Sequence, residues 1–237
     1  MEKNHAKRFY KTVSYVAKEQ GFEVLLDERS LKTPAKAALI LPHEALAKKV
    51  RDEFDAQIEA IVPETMPIFS LAATAIDRVM PQRATLDEEL VRFGHNDLIS
   101  YRCGADEDPV LAERQNAQWG VIQSWMAKTY HIHLQAFEGI MPQSQPAEIQ
   151  PHLEAAVRGI DDWRYVALYR ATTLTGSLSL GLGFVAQYLD VAGLMSHAFL
   201  DEFYQEEKWG ADDWALERRT NIESELQDAQ SYMALLS

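Results

Sequence analysis

The stretch from Tyr165 to Asp190, YVALYRATTLTGSLSLGLGFVAQYLD, is the longest nearly uncharged run of the chain and the strongest sequence indication of where its core lies. Only Arg170 interrupts it before its closing aspartate. Leucines and a valine recur at helical spacing on one face, and Gly176, Ser179 and Gly183 share a second face. Glycine inside a helix costs about 1 kcal/mol relative to alanine, so this row favours close approach of another backbone. The run predicts a buried core helix.

A membrane span and a dinucleotide-binding loop are two other interpretations of this run. A span needs about 20 apolar residues, but this run contains three glycines and several Ser and Thr, and no cluster of Lys or Arg flanks it. The Gly-Leu-Gly at 181–183 lies inside the helical pattern, whereas a dinucleotide fingerprint follows a strand and opens a helix. We therefore expect a core helix of a soluble protein, without membrane insertion.

The N-terminal part of the chain has a different periodicity. Lys7–Leu41 is rich in β-formers and predicts a small, mostly antiparallel sheet. Pro42 stands at a helix start. Four apolar residues then recur at intervals of four and predict the buried face of that helix: Leu46, Val50, Phe54 and Ile58.

Two prolines, Pro63 and Pro67, bracket a linker, and beyond it the chain is helical almost throughout. Gly193 separates the central helix from a final pair, predicted at 194–208 and 212–235. The predicted class is α+β with two domains. Residues 1–63 form a small N-terminal antiparallel β domain with one helix, and residues 64–237 form a larger, all-helical domain.

Charge and cysteine content restrict the partners and the compartment. The 237 residues carry a formal net charge of −13, which argues against a nucleic-acid backbone or an anionic membrane as the main partner. Cys103 is the single cysteine, so no intramolecular disulfide can form and a reducing compartment is expected. The N-terminus has no apolar signal core. We expect the cytosol, or a matrix-like compartment if a leader has been removed.

Catalytic signatures are missing from the sequence. It contains no GxxxxGK[ST], HExxH, GxSxG or CxxC motif. His131 and His133 could hold a metal only if a carboxylate converged on them, and such a pair is more often a polar loop or strand. Cys103 follows Arg102, but it has no obvious histidine partner and is expected to be structural. We expect no catalytic residue, no metal site and no cofactor.

The richest feature near the C-terminus is LDEFYQEEKWGADDWALERR, residues 200–219. Two tryptophans, Trp209 and Trp214, stand among six acidic residues: Asp201, Glu202, Glu206, Glu207, Asp212 and Asp213. These could be the solvated faces of two helices joined at Lys208-Trp209-Gly210. They could instead form an acidic, aromatic surface for a basic patch on another protein, because tryptophan is favoured at interface centres.

Several stretches follow one another in an order that is similar to one protein family. They are RFYKTV from Arg8, LLDERSLKTPAKAALILP from Leu25, EFDAQ from Glu53, MPIFSLAATAIDR from Met66, DLISYR from Asp97, QNAQWGVIQSW from Gln115 and DEFYQEEKWG from Asp201. The series resembles the assembly chaperones for the alpha subunit of the mitochondrial F-type ATP synthase, whose homologues also occur in alpha-proteobacteria. The resemblance covers nearly the whole chain.

The resemblance implies a small β domain, a larger helical domain and a role without catalysis. A member of this family binds the unassembled alpha subunit of the catalytic sector and covers its subunit interface until the beta subunit replaces it. The absence of nucleotide motifs fits a chaperone that works without ATP. The sequence departs from the family pattern at Phe54, where tryptophan is common, and at Gly120, where aspartate is common.

An acidic residue near the C-terminus matters for function in this family, and the resemblance places it between Leu200 and Gly210. We carry it over to Glu202. Supporting surface is assigned to Glu206 and Trp209, and further to Asp201, Glu207 and Asp212. On this reading Glu202→Lys weakens binding of the alpha subunit and leaves the fold intact, since an exposed helix position usually changes stability by less than about 0.5 kcal/mol.

Two rival functions remain open. The first is an enzyme of unknown reaction with a site between the two domains, for which the tightest set of reactive side chains is His95, Asp97, Tyr101 and Cys103. The second is a general acidic protein-binding scaffold without a defined client.

Overall fold

The computed structural model describes residues 5–139 and 143–236. Contacts divide the chain into two compact units. The first unit comprises the chain up to residue 83, residues 162–166 and the chain from residue 228; the second comprises residues 84–161 and 167–227. The predicted domain boundary after residue 63 stays a prediction.

The first unit contains a small antiparallel sheet. Its strands are β1 (Val13–Lys18), β2 (Gly21–Leu26), β3 (Arg29–Ser30) and β4 (Ile40–Leu41). β1 pairs with β2 along its whole length, and β3 and β4 both pair with β2. Gly21 permits the tight turn between β1 and β2, because its φ is +142° and an added Cβ would overlap the carbonyl oxygen of Leu41. The predicted N-terminal antiparallel sheet is confirmed.

Helix α1 (Glu44–Asp55) packs against β1 and β2. Leu46, Val50 and Phe54 are buried as the spacing predicts. Ile58 is 85% exposed, so its placement on the buried face was wrong. The helix ends at Asp55, and Ile58 lies beyond the last turn that could direct its side chain to the core.

A buried carboxylate joins α1 to the next helix within the first unit. α2 spans Pro67–Thr74, and Glu53 accepts hydrogen bonds from the amides of Ile68 (2.9 Å) and Phe69 (2.8 Å) in its first turn. Burial raises the pKa of Glu53, and these two bonds oppose the rise. A π-helical turn (Ala75–Val79) follows, and then α3 (Met80–His95), which is kinked at Gln82 directly after Pro81.

In the described residues of the second unit, the regular secondary structure is helical apart from one pair of two-residue strands. β5 (Tyr101–Arg102) precedes α4 (Pro109–Tyr130), and β6 (Phe137–Glu138) follows it and pairs with β5 in parallel. α5 spans Gln150–Arg158. Trp119 of α4 is buried, and its indole nitrogen donates to the carbonyl of His197 at 2.9 Å.

The long apolar run forms two helices, α6 (Asp162–Thr175) and α7 (Leu178–Val185). All eight residues of α7 are buried, so the run lies in the core as predicted. Its interpretation as one helix was wrong. Gly176 adopts φ +72° and ends α6, and the hydroxyl of Ser177 caps α7 by accepting from the amide of Leu180 at 3.1 Å. Among the described residues, no helix is both long enough and apolar enough to cross a membrane.

The chain ends in three helices, α8 (Val191–Ala198), α9 (Leu200–Trp209) and α10 (Asp213–Ala234). The helix predicted at 194–208 is therefore two helices, which are separated at Phe199 (φ −112°, ψ 24°). Gly210 follows the last residue of α9, and its φ of +88° suits glycine. The sheet near the N-terminus and the helical remainder confirm the predicted α+β class.

Candidate protein-binding surface

Two carboxylates of α9 and two arginines of α10 form an ion-pair cluster. Glu202 accepts from Nη1 of Arg219 at 2.9 Å and also from Arg218, and Glu206 accepts from Nη2 of Arg219. Arg219 is only 5% exposed. Burial lowers the pKa of Arg219, but the hydrogen bonds to Glu206 and Glu202 outweigh it and raise the pKa. The cluster therefore fixes α9 against α10.

This geometry changes what we expect of Glu202→Lys. Its side chain is 37% exposed and is engaged with two guanidinium groups. A lysine there would place a third cation beside Arg218 and Arg219 and leave the buried charge of Arg219 less compensated, which is strongly destabilising. Loss of binding in that variant would therefore not separate a contact residue from a residue that positions α9.

Other polar side chains of α9 contact α4. Glu207 pairs with Arg114 (2.7 Å), and Asp201 accepts from Gln115 (2.8 Å). Burial raises the pKa of Asp201, while the hydrogen bond from Gln115 opposes the rise. Asp108, at the start of α4, accepts from Lys208 (2.8 Å) and Tyr204 (2.7 Å). The Lys208 and Tyr204 hydrogen bonds hold the pKa of Asp108 below its usual range.

Every residue of the turn from α9 to α10, residues 209–214, is exposed. We call residues 209–214 the tryptophan turn. Trp209 is 80% exposed and Trp214 is 71% exposed. Asp212 caps α10, since its carboxylate accepts from the amide of Ala215 at 2.9 Å. Asp213 and Glu217 of α10 are exposed as well. Two exposed tryptophans on one short turn favour a protein-binding site, because tryptophan is enriched in protein interfaces.

The six predicted surface residues thus fall into three groups. Glu202 and Glu206 share Arg219, while Asp201 and Glu207 turn to α4. Trp209 and Asp212 stand at the solvent-facing turn.

The sequence reasoning missed the cations that hold the acidic residues. Arg218 and Arg219 lie inside the quoted stretch, so opposite charges one helix apart could have indicated them. Arg114 lies 93 positions from its partner, and no local signal could indicate that pair.

The four side chains of the enzyme hypothesis do not share one cavity. Tyr101 and Cys103 line a cavity of about 650 Å³, and His95 lines a different one of about 410 Å³. Asp97 is fully buried and accepts from Ser177 and Ser179. Within residues 5–139 and 143–236, no three His, Cys, Asp or Glu side chains are grouped so that they could hold a metal ion.

Comparison with known proteins agrees on one family. Residues 7–127 match the family described as ATP12 chaperone protein. Atp12 from Paracoccus denitrificans is 34% identical, with a TM-score of 0.92 over 98% of this chain and 99% of that chain. A lysine-substituted mutant of the same protein matches at 33% identity and a TM-score of 0.92, covering 98% of each chain. A proposed chaperone from Agrobacterium tumefaciens is 34% identical, with a TM-score of 0.89 over 98% of this chain and 86% of that chain.

The chain belongs to the ATP12 chaperone family. The family resemblance drawn from the ordered sequence stretches is thereby confirmed, and a chaperone acts on a protein client.

Proposed function

We propose that this protein is an assembly chaperone for the alpha subunit of the F-type ATP synthase. It binds the unassembled alpha subunit and shields the interface that the beta subunit later occupies. Membership of the ATP12 chaperone family is the observation that carries the proposal. The protein acts without a cofactor and without catalysis, as a monomer in the bacterial cytoplasm, or in the mitochondrial matrix if a leader has been removed.

The client-binding surface of this proposal comprises the exposed side of α9 and the tryptophan turn. The residues assigned to this surface are Glu202, Glu206, Trp209, Asp201, Glu207 and Asp212, whether they touch the client or hold the surface in place. Exposed indole rings supply apolar area, and acidic groups around them favour a client face that carries Lys or Arg. The net charge of −13 supports a basic partner surface in the same way.

The first test is co-expression of this protein with the alpha subunit from the same source, without the beta subunit. We expect a soluble one-to-one complex in size-exclusion chromatography, and a much lower soluble yield of the alpha subunit when it is expressed alone. Addition of purified beta subunit should release the chaperone, because both proteins cover the same interface of the alpha subunit.

Two controls separate this function from its rivals. Unrelated basic proteins of similar size should not form a stable complex, and equal binding to them would favour the general acidic scaffold. If the alpha subunit aggregates whether or not this protein is present, the proposed client is wrong, and the family membership would stand without it.

A further inference from the structure

We infer that Trp209 and Trp214 are the apolar anchors of the client contact, and that Glu202 and Glu206 position them rather than bind the client. The partner is the client protein, which receives both indole rings in an apolar depression rimmed by Lys or Arg. This inference rests on the proposed function and assigns different roles to the residues of the same surface.

The exposure of both indole rings is the first argument. Of the five tryptophans, Trp119 lies in the core at 1% exposed, whereas Trp209 and Trp214 remain 80% and 71% exposed. A tryptophan side chain buries roughly 200 Å² when it enters an interface, and this residue type is enriched among those that dominate binding. The two indole rings of the tryptophan turn can therefore bury more apolar area against a client than the carboxylates of α9 can.

The state of the carboxylates is the second argument. Glu202 and Glu206 already accept from Arg219, whose guanidinium is buried, so a basic client group would have to compete with an internal ion pair. Arg218 links this cluster to the tryptophan turn, because it donates to Glu202 and its guanidinium carbon lies 5.8 Å from the centre of the Trp214 ring. The carboxylates thus hold α9 against α10 on either side of the tryptophan turn. A turn that is already fixed loses less conformational entropy when it binds.

The charge around the rings decides the kind of partner. Asp212, Asp213 and Glu217 are exposed on or next to the tryptophan turn. They attract a basic rim, and they oppose a second copy of this chain, which would bring the same acidic groups to the contact. Asp212 is committed to capping α10, so its charge is fixed in place.

The experiment compares Trp209→Ala/Trp214→Ala with wild type in binding to purified alpha subunit by surface plasmon resonance. We expect the dissociation constant to rise by about 30-fold or more, mainly through faster dissociation, as for hot-spot side chains. The thermal midpoint should stay unchanged because both rings face solvent. Val121→Ala is the matched control: Val121 is an apolar side chain that is 54% exposed on α4, and its loss should change the constant by less than about twofold.

A second variant tests the positioning role. Glu202→Gln keeps the size of the side chain and removes one charge from the cluster. If Glu202 positions the anchors, Glu202→Gln weakens binding in the wild-type background, but it adds little further loss to Trp209→Ala/Trp214→Ala, because it acts only through the contact that this variant has already lost. Fully additive losses would make Glu202 an independent contact and overturn its positioning role.

The outcomes distinguish this inference from the proposed function. Failure of the wild-type protein to bind the alpha subunit would refute the proposed function, and the inference with it. Wild-type binding that the double tryptophan variant retains would refute the anchors alone. A wild-type dimer in sedimentation that the double variant converts to a monomer would make the tryptophan turn a self-association surface and would also refute the inference.

Discussion

Asp97 illustrates how a carboxylate can lie inside the second unit without a cation. It is fully buried, and its oxygens accept from the hydroxyl of Ser177, the amide (2.9 Å) and hydroxyl (2.8 Å) of Ser179 and the amide of Ile99 (3.3 Å). Ser179 lies in the first turn of α7, where a negative charge is favoured by the helix dipole. Burial raises the pKa of Asp97, and the hydrogen bonds from Ser177 and Ser179 oppose that rise. Among the described residues it forms no ion pair.

We predict that Asp97→Ala lowers the free energy of unfolding by about 3–5 kcal/mol, since it leaves several buried donors without an acceptor. Urea unfolding followed by circular dichroism measures the change. Asp97→Asn keeps one carbonyl acceptor and should cost clearly less. A loss below about 1 kcal/mol in the alanine variant would show that water or a rearranged Ser177 replaces the carboxylate.

The pairing of individual side chains was the property that the sequence predicted least well. The residue types of the C-terminal stretch indicated a surface, but not which charges were already paired. Asp97 and its serine partners are 80 and 82 positions apart, so the hydrogen bonds from Ser177 and Ser179 to Asp97 could not be predicted from spacing. Partners this distant depend on how the helices pack, which a single sequence does not contain.

At the scale of elements, the contact between α6 and α7 depends on one glycine. A Cβ added to Gly181 would overlap the hydroxyl oxygen of Thr172 and lie 3.2 Å from its amide nitrogen. Thr172 is fully buried, so it has little room to move. The expected close approach of another backbone is real, but it occurs at Gly181 rather than along the row of Gly176, Ser179 and Gly183.

We predict that Gly181→Ala lowers the free energy of unfolding by about 1–3 kcal/mol through overpacking, although alanine is the better helix former. Gly120→Ala is the control in the same unit. Gly120 lies within α4 with nothing within 4 Å of an added Cβ, so alanine there should stabilise by up to about 1 kcal/mol. Opposite signs in chemical denaturation would confirm the assignment, and two stabilising changes would contradict the tight contact.

Periodicity predicted most elements and failed where single residues end them. Gly176 and Ser177 divide the apolar run, and Phe199 divides the helix before α9. The apolar pattern continues across both breaks because the helices before and after each break are both buried in the core. The positive φ of Gly176 and the cap at Ser177 depend on single residues, so the spacing of the leucines could not predict where the helix breaks.

The net charge of −13 belongs to the chain as a whole and should influence the rate of association with a client. Charge steers encounter and is screened by salt, whereas buried aromatic contacts control dissociation. We predict that raising the NaCl concentration from 50 to 500 mM, roughly a threefold shorter screening length, slows association with the alpha subunit at least several-fold. The dissociation rate should change by less than about twofold.

Stopped-flow mixing with a fluorescent alpha subunit measures both rates. The Trp209→Ala/Trp214→Ala variant provides the complementary case, since it should change dissociation and leave the salt dependence of association intact. Association that is insensitive to salt would show that the acidic groups of this chain do not face the client.

Fold class was the most predictable property, because a change from β-forming segments to helical spacing indicates an α+β chain. The ordered family stretches then indicate which α+β fold the chain adopts. Ile58 shows the limit of the same reasoning: its spacing continued the buried face of α1, but the helix had already ended at Asp55. Spacing identifies which face of a helix is apolar. It does not determine how far that helix runs.

The single thiol of this chain makes it well suited to spectroscopy. Cys103 is partly accessible and lines the same cavity as Asp201, the second residue of α9. A trifluoromethyl tag on that sulfur would therefore give one ¹⁹F resonance beside the start of α9, with no engineered cysteine and none to remove. Burial and the nearby carboxylates raise the pKa of the thiol, so alkylation is slow at neutral pH and calls for a mildly alkaline reaction buffer.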